Sequence, residues 1–153
     1  MYVAFVFLHS WLRWVVLIAG LWAVIRGFMG TAGRRPWTAA DDTAGRLFSI
    51  TMDVQLLVGL LLYGLFSPIT TQALMNMAEA MRNSTLRFWA VEHLTLMFVA
   101  VVLVHVGRAR SRKAPTDGAR HQSAALFYAL ALLAVLLAIP WPFMSVGRPL
   151  FRF

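Results

Sequence analysis

Apolar residues along this chain gather into four long blocks, at about 3–25, 47–66, 86–106 and 124–142. Each is close to the ~20 residues that a helix needs to cross about 30 Å of hydrocarbon. The second block contains the purest run, Leu56-Leu57-Val58-Gly59-Leu60-Leu61-Leu62, and the fourth meets Pro140-Trp141-Pro142, where two prolines remove backbone donors and stop a helix. The first block reads as a retained membrane helix rather than a signal peptide. It lacks a basic leader, carries Arg13 in mid-run and ends in Arg26-Gly27 instead of a small-residue cleavage site. Between the second and third blocks, residues 71–82 read as a short interfacial helix whose methionines are better explained by lipid contact than by a metal or haem. No internal repeat or low-complexity linker interrupts the pattern. The predicted fold is therefore all-α, a four-helix transmembrane bundle of up-down topology that forms one integral membrane domain over residues 1–153.

Composition agrees with this pattern and narrows the chemistry. Sixty per cent of the residues are hydrophobic and only 13% charged, about half the charge of a soluble domain, and mean hydropathy is +0.71. The chain has no cysteine, which excludes disulfides, thiolate metal sites, iron–sulfur clusters and covalent c-type haem attachment. A net charge of +8 invites a nucleic-acid reading. The basic residues instead flank hydrophobic blocks, with no basic stripe interleaved with exposed aromatics, so nucleic acid is excluded as a partner.

The basic residues also orient the chain. Arg26, Arg34, Arg35, Arg46, Arg108, Arg110, Arg112, Lys113 and Arg120 fall on one side of the predicted membrane, and Arg82, Arg87, Arg148 and Arg152 on the other. By the positive-inside rule this places both termini in the periplasm of a bacterial inner membrane. Thirteen of the 20 aromatic residues, among them Trp11, Trp14, Trp89 and Phe153, lie in or near the periplasmic half. An interfacial belt explains the outermost of them. The deeper Trp11 and Trp14 suit an apolar cavity that haem or quinone would fill.

Ionisable residues inside a membrane are costly, by roughly 2.5–3.5 kcal/mol at a helix centre, and each is a functional candidate by default. Here they are His9 and Arg13 in the first helix, Asp53 in the second, and Glu92, His93 and His105 in the third, with His121 at the mouth of the fourth. His9 and His93 both fall six or seven residues inside helices that start on the same side, about 9–10 Å deep. Two imidazoles at one depth on two helices are the expected axial ligands of one b-type haem. The bland alternative has one of them bonded to a carbonyl or to Glu92. Arg13 shares His9's helix face, four residues on; it suits a haem propionate or a pairing with Glu92 or Asp53. Arg87, near the interface, suits a propionate or lipid phosphate.

His105 and His121 share a depth near the other face and admit a second haem about 18 Å from the first. However, His105 points about 120° away from His93 around the helix, and ordinary interfacial histidines account for the pair better. For the buried acids Asp53 and Glu92, two roles stand: proton acceptor beside a haem or quinone edge, or buried partner of Arg13.

The strings Leu8-His9-Ser10-Trp11-Leu12-Arg13-Trp14, Gln55-Leu56-Leu57-Val58-Gly59-Leu60, Arg87-Phe88-Trp89-Ala90-Val91-Glu92-His93 and Ile139-Pro140-Trp141-Pro142-Phe143 resemble a group of small bacterial four-helix membrane proteins described as cytochrome b-like. The resemblance spans all four helices. It implies haem b and electron transfer, as an oxidoreductase component, with His9 and His93 as ligands; it implies no substrate. The fourteen-residue histidine spacing of quinol-oxidising cytochrome b is absent, so that mechanism does not carry over. The expected function is a haem b carrier that exchanges electrons with a quinone or a larger redox complex. The alternative is a cofactor-free accessory subunit whose intramembrane charges serve assembly with a larger complex or a homo-oligomer.

Overall fold

The structure is a computed structural model that describes residues 1–151; Arg152 and Phe153, which entered the charge and aromatic patterns above, lie outside the described residues. Helix α1 spans Tyr2–Gly33. Helix α2 spans Ala39–Leu61 and continues as one wide π turn, Leu62–Phe66. Three short helices follow: α3 (Pro68–Met75), α4 (Met77–Arg82) and α5 (Ser84–Arg87). A second π turn, Phe88–Glu92, leads into α6 (His93–Lys113), and α7 spans Asp117–Ala138. Four helical spans are long and apolar enough to cross a membrane: Tyr2–Gly33, Ala39–Phe66, Ser84–Lys113 and Asp117–Ala138. The chain is a multi-pass membrane protein.

The helices outrun the apolar blocks, and local chemistry explains where they end. Arg26 ends the first block, but arginine is a good helix former, so α1 continues to Gly33 and closes at Arg34 in the left-handed conformation. Helix α2 begins eight residues before its block, because Thr38 and Asp41 form a capping box that satisfies backbone donors of the first turn. Thr116 caps α7 in the same region. At its far end α7 stops at Ala138 rather than at 142, because Ile139 precedes Pro140 and is forced into the extended region (φ −68°, ψ 127°). The expected helix over 71–82 is two helices. Asn76 breaks it at φ −142° and ψ 83°, and its side chain accepts from Glu79 N–H to start α4.

Alanine and glycine bring the long helices together. A Cβ on Gly27 would lie 2.7 Å from the backbone nitrogen of Ala125, and one on Gly20 would strike Phe48 and Leu132. Such small residues permit the close helix contact that drives association in lipid, where apolar burial drives little. The core is Val16, Phe48, Met52, Val104, Tyr128 and Val135 among alanines. Large apolar side chains point outward, Ile18 being 69% exposed and Phe48 0%, the distribution expected where hydrocarbon is the solvent. Helix α7 packs on α6 and α1, and α1 on α2, while α2 and α6 touch least among these neighbours.

Candidate functional site

Between the four long helices lies a cavity of about 150 Å³, lined from α1 by His9 and Arg13, from α2 by Gln55 and Gly59, and from the α6 side by Trp89 and His93. The four-residue step from His9 to Arg13 and from Gln55 to Gly59 puts each pair on one helix face. The ring centres of His9 and His93 are 6.2 Å apart, with planes at 69°.

The two prolines after α7 set the state of His93. In a continuing helix the carbonyls of Leu136 and Ala138 would accept from the N–H groups of residues 140 and 142. Both are prolines and have none. The Trp141 indole N–H donates to the Leu136 carbonyl (2.9 Å), and His93 Nδ1–H donates to the Ala138 carbonyl (2.8 Å). That bond fixes the tautomer of His93 and leaves Nε2 with its lone pair, the state in which a histidine ligates a metal.

His9 is held from its other side. The Gln55 amide donates to the His9 carbonyl (3.1 Å) and lies 3.3 Å from His9 Nε2. Gly59 leaves room for the ring, since a Cβ there would be 3.2 Å from His9 Cε1. Three buried polar atoms of cavity residues have no hydrogen-bond partner among the described residues: His9 Nδ1, Gln55 Oε1 and Trp89 Nε1. Buried polar atoms are rarely left so, and their convergence on one cavity points to a ligand or ordered water.

The wide turns frame this end of the bundle. Tyr63, in the first, donates from its hydroxyl to the Ala90 carbonyl in the second (3.0 Å), and Thr70 donates to the Tyr63 carbonyl (2.7 Å). Single π turns of this kind recur at functional sites. The chain after α7 folds back over the same region. Leu150 presents its carbonyl to the Arg13 guanidinium and the Trp14 indole N–H, Phe151 stacks on Trp14 at 5.1 Å, and Arg148 lies over the Trp89 ring at 5.5 Å while lining the cavity.

Of the residues singled out in the sequence, His9, His93 and Arg13 come together. Asp53, Arg87, Glu92, His105 and His121 do not line this cavity, and neither do Trp11 and Trp14. Glu92 pairs with Arg87 (2.7 Å), both exposed, and Asp53 pairs with His105 (2.8 Å), both about half exposed. Arg13 contacts the chain end, a role outside the two foreseen for it. His105 and His121 face different neighbours. His121 is buried between α7 and α1, 4.9 Å from the Trp37 ring and 3.5 Å from the Pro36 carbonyl, with Nδ1 against Gly30. Gln55, Tyr63, Trp89 and Arg148 escaped the sequence reading as site residues. A lone amide in the leucine run was the visible signal for Gln55, whereas Arg148 gave none.

The donor set fits a haem iron. Imidazole nitrogen is an ordinary haem ligand, and the two ring centres face one cavity 6.2 Å apart. The volume is tighter. About 150 Å³ admits one aromatic ring and falls below the ~300 Å³ of the smaller cofactor pockets. Seating a macrocycle therefore requires the helices around the cavity to move apart. Among the described residues no group of three or more His, Cys, Asp or Glu is arranged to hold a free metal ion. Comparison with known proteins adds no relative: no family model, no curated protein and no solved structure matches the chain.

Proposed function

We propose that this protein is a membrane-embedded electron-transfer component that holds one haem b between His9 and His93. The observation that carries the reading is the pair of imidazoles facing one cavity between the membrane helices, with the His93 ring oriented by the Ala138 carbonyl. Haem bound there would supply a one-electron couple. The chain's own residues orient the two rings through Ala138 and Gln55 and shut lipid from the cavity with the segment after α7. Arg13 and Arg148 add positive charge to the lining, which suits an anionic substituent. In this reading the four helices cross a bacterial inner membrane alternately, with both termini periplasmic.

Two experiments test it. Purified protein reduced with dithionite is expected to show the sharp Soret and α bands of low-spin b-type haem; protein with no Soret band after expression with added haem overturns the reading. A reporter fused after Phe153 is expected to be active only in the periplasm, and one inserted between Lys113 and Asp117 only in the cytoplasm. The reverse result overturns the orientation.

The volume favours a second reading. A single quinone-sized ring fits about 150 Å³ without movement of the helices, and its carbonyl oxygens would accept from Trp89 Nε1–H and His9 Nδ1–H. A quinone that protects the protein against heat while no haem binds selects this reading over the first.

A further inference from the structure

Among the described residues, Asp53 and His105 form the one acid–base side-chain pair that joins α2 to α6. It stands on the outside of the bundle. The side chains are 49% and 50% exposed and 2.8 Å apart, and they sit among outward apolar residues: Ile50 at 50%, Leu57 at 60% and Val102 at 57%. On α2 the nearest arginine, Arg46, is seven residues before Asp53, about 10 Å of helix, and on α6 Arg108 follows His105 by about 4.5 Å. The pair is thus one to two turns inside the arginines that mark the membrane edge. A carboxylate with spare acceptor capacity facing hydrocarbon is costly, and such groups usually face protein.

The pattern of the patch names what covers it. Two copies of one chain inserted the same way form a closed symmetric pair only about a two-fold axis along the membrane normal. That axis exchanges left and right at constant depth. Because Asp53 and His105 share a depth on neighbouring helices, a second copy brings its α2 against α6, and the partner's Asp53 against His105. The patch carries donor and acceptor side by side, so it is self-complementary in the manner an isologous contact requires. A foreign partner would need only one sign.

We infer that the α2–α6 face is a homodimer interface, in which Asp53 and His105 of each copy close a four-residue polar cluster within the bilayer. This does not depend on any cofactor in the cavity.

The chain has no cysteine, which makes cross-linking clean. Leu57 and Val102 lie one turn from the pair, on the same side of it. Differently tagged Leu57→Cys and Val102→Cys chains, co-expressed and oxidised in native membranes, are expected to join to each other several-fold more than either joins to Leu133→Cys on the outward face of α7. Mass measurement in mild detergent is expected to give two chains. Asp53→Asn, nearly isosteric, is expected to cut the cross-linked fraction several-fold with unchanged helix content, and Asp53→His combined with His105→Asp to restore it. The inference is overturned by cross-linking no greater than to Leu133→Cys, by a monomeric mass, by a complex with a single copy of this chain and a foreign protein, or by cross-linking indifferent to Asp53→Asn.

Discussion

His93 and His121 both lie inside the bundle, one at each end, and the difference between their surroundings separates a site from a scaffold. Around His121 the α1 side is closed, although a cavity of about 230 Å³ lined by Arg26, Gly30, Asp41 and His121 opens beside the ring. A Cβ on Gly30 would fall 2.0 Å from its Nδ1, Trp37 covers its face, and beside it Arg26 and Asp41 join at 2.8 Å within the capped start of α2. Around His93 the structure is open. Two wide turns replace regular helix, and the cavity gathers unpartnered polar atoms from three residues, His9, Gln55 and Trp89, where the cavity beside His121 has the Nδ1 of that ring. The same side chain at similar depth is wedged in one place and poised in the other. What decides its role is the direction of the second nitrogen: toward Gly30 in His121, and left with a lone pair by the Ala138 carbonyl in His93.

The sharpest way to break this contrast is to add one methyl group at each end. Gly30→Ala drives a Cβ into a wedged imidazole and is expected to cost about 1–3 kcal/mol or more, read as a large fall in thermal midpoint in detergent. Gly59→Ala meets His9 at 3.2 Å and is expected to cost less stability while reducing haem uptake. If both variants lose stability equally and neither changes uptake, the two ends are not different in kind.

A finer test addresses the carbonyls freed by the prolines. Pro140→Ala combined with Pro142→Ala restores both missing N–H donors, so α7 can extend and reclaim the Leu136 and Ala138 carbonyls. His93 then loses its anchor. Removing such a supporting hydrogen bond typically costs 10–100-fold in metal affinity, and haem affinity is expected to fall by at least about tenfold while the fold persists. Unchanged affinity would show that the Ala138 bond does not prepare His93.

The sequence made some of this legible. The four membrane helices could be read because lipid imposes length and apolarity on each, and the match between His9 and His93 followed from a constant rise per residue. Their ring separation, and the proline origin of His93's anchor, depend on how α6 meets the end of α7. Arg13 was recognised as exceptional, but its contact is Leu150, at the far end of the chain in a segment with no periodicity to read. His121 looked interfacial because it neighbours charged residues; its burial depends on the missing side chain of Gly30, ninety-one positions away. Asp53 and His105 were each noticed, and only the packing of α2 beside α6 made them a pair.

Haem titration of the purified apoprotein tests the central claim most directly, because it counts sites and assigns them. The expected stoichiometry is one haem per chain, unchanged in His105→Ala and in His121→Ala protein that retains its fold. Low-spin binding is expected to disappear in both His9→Ala and His93→Ala. Binding that survives both of the latter substitutions with an unaltered spectrum, or a second haem that His121→Ala removes, would contradict the assignment of the site to the His9–His93 cavity.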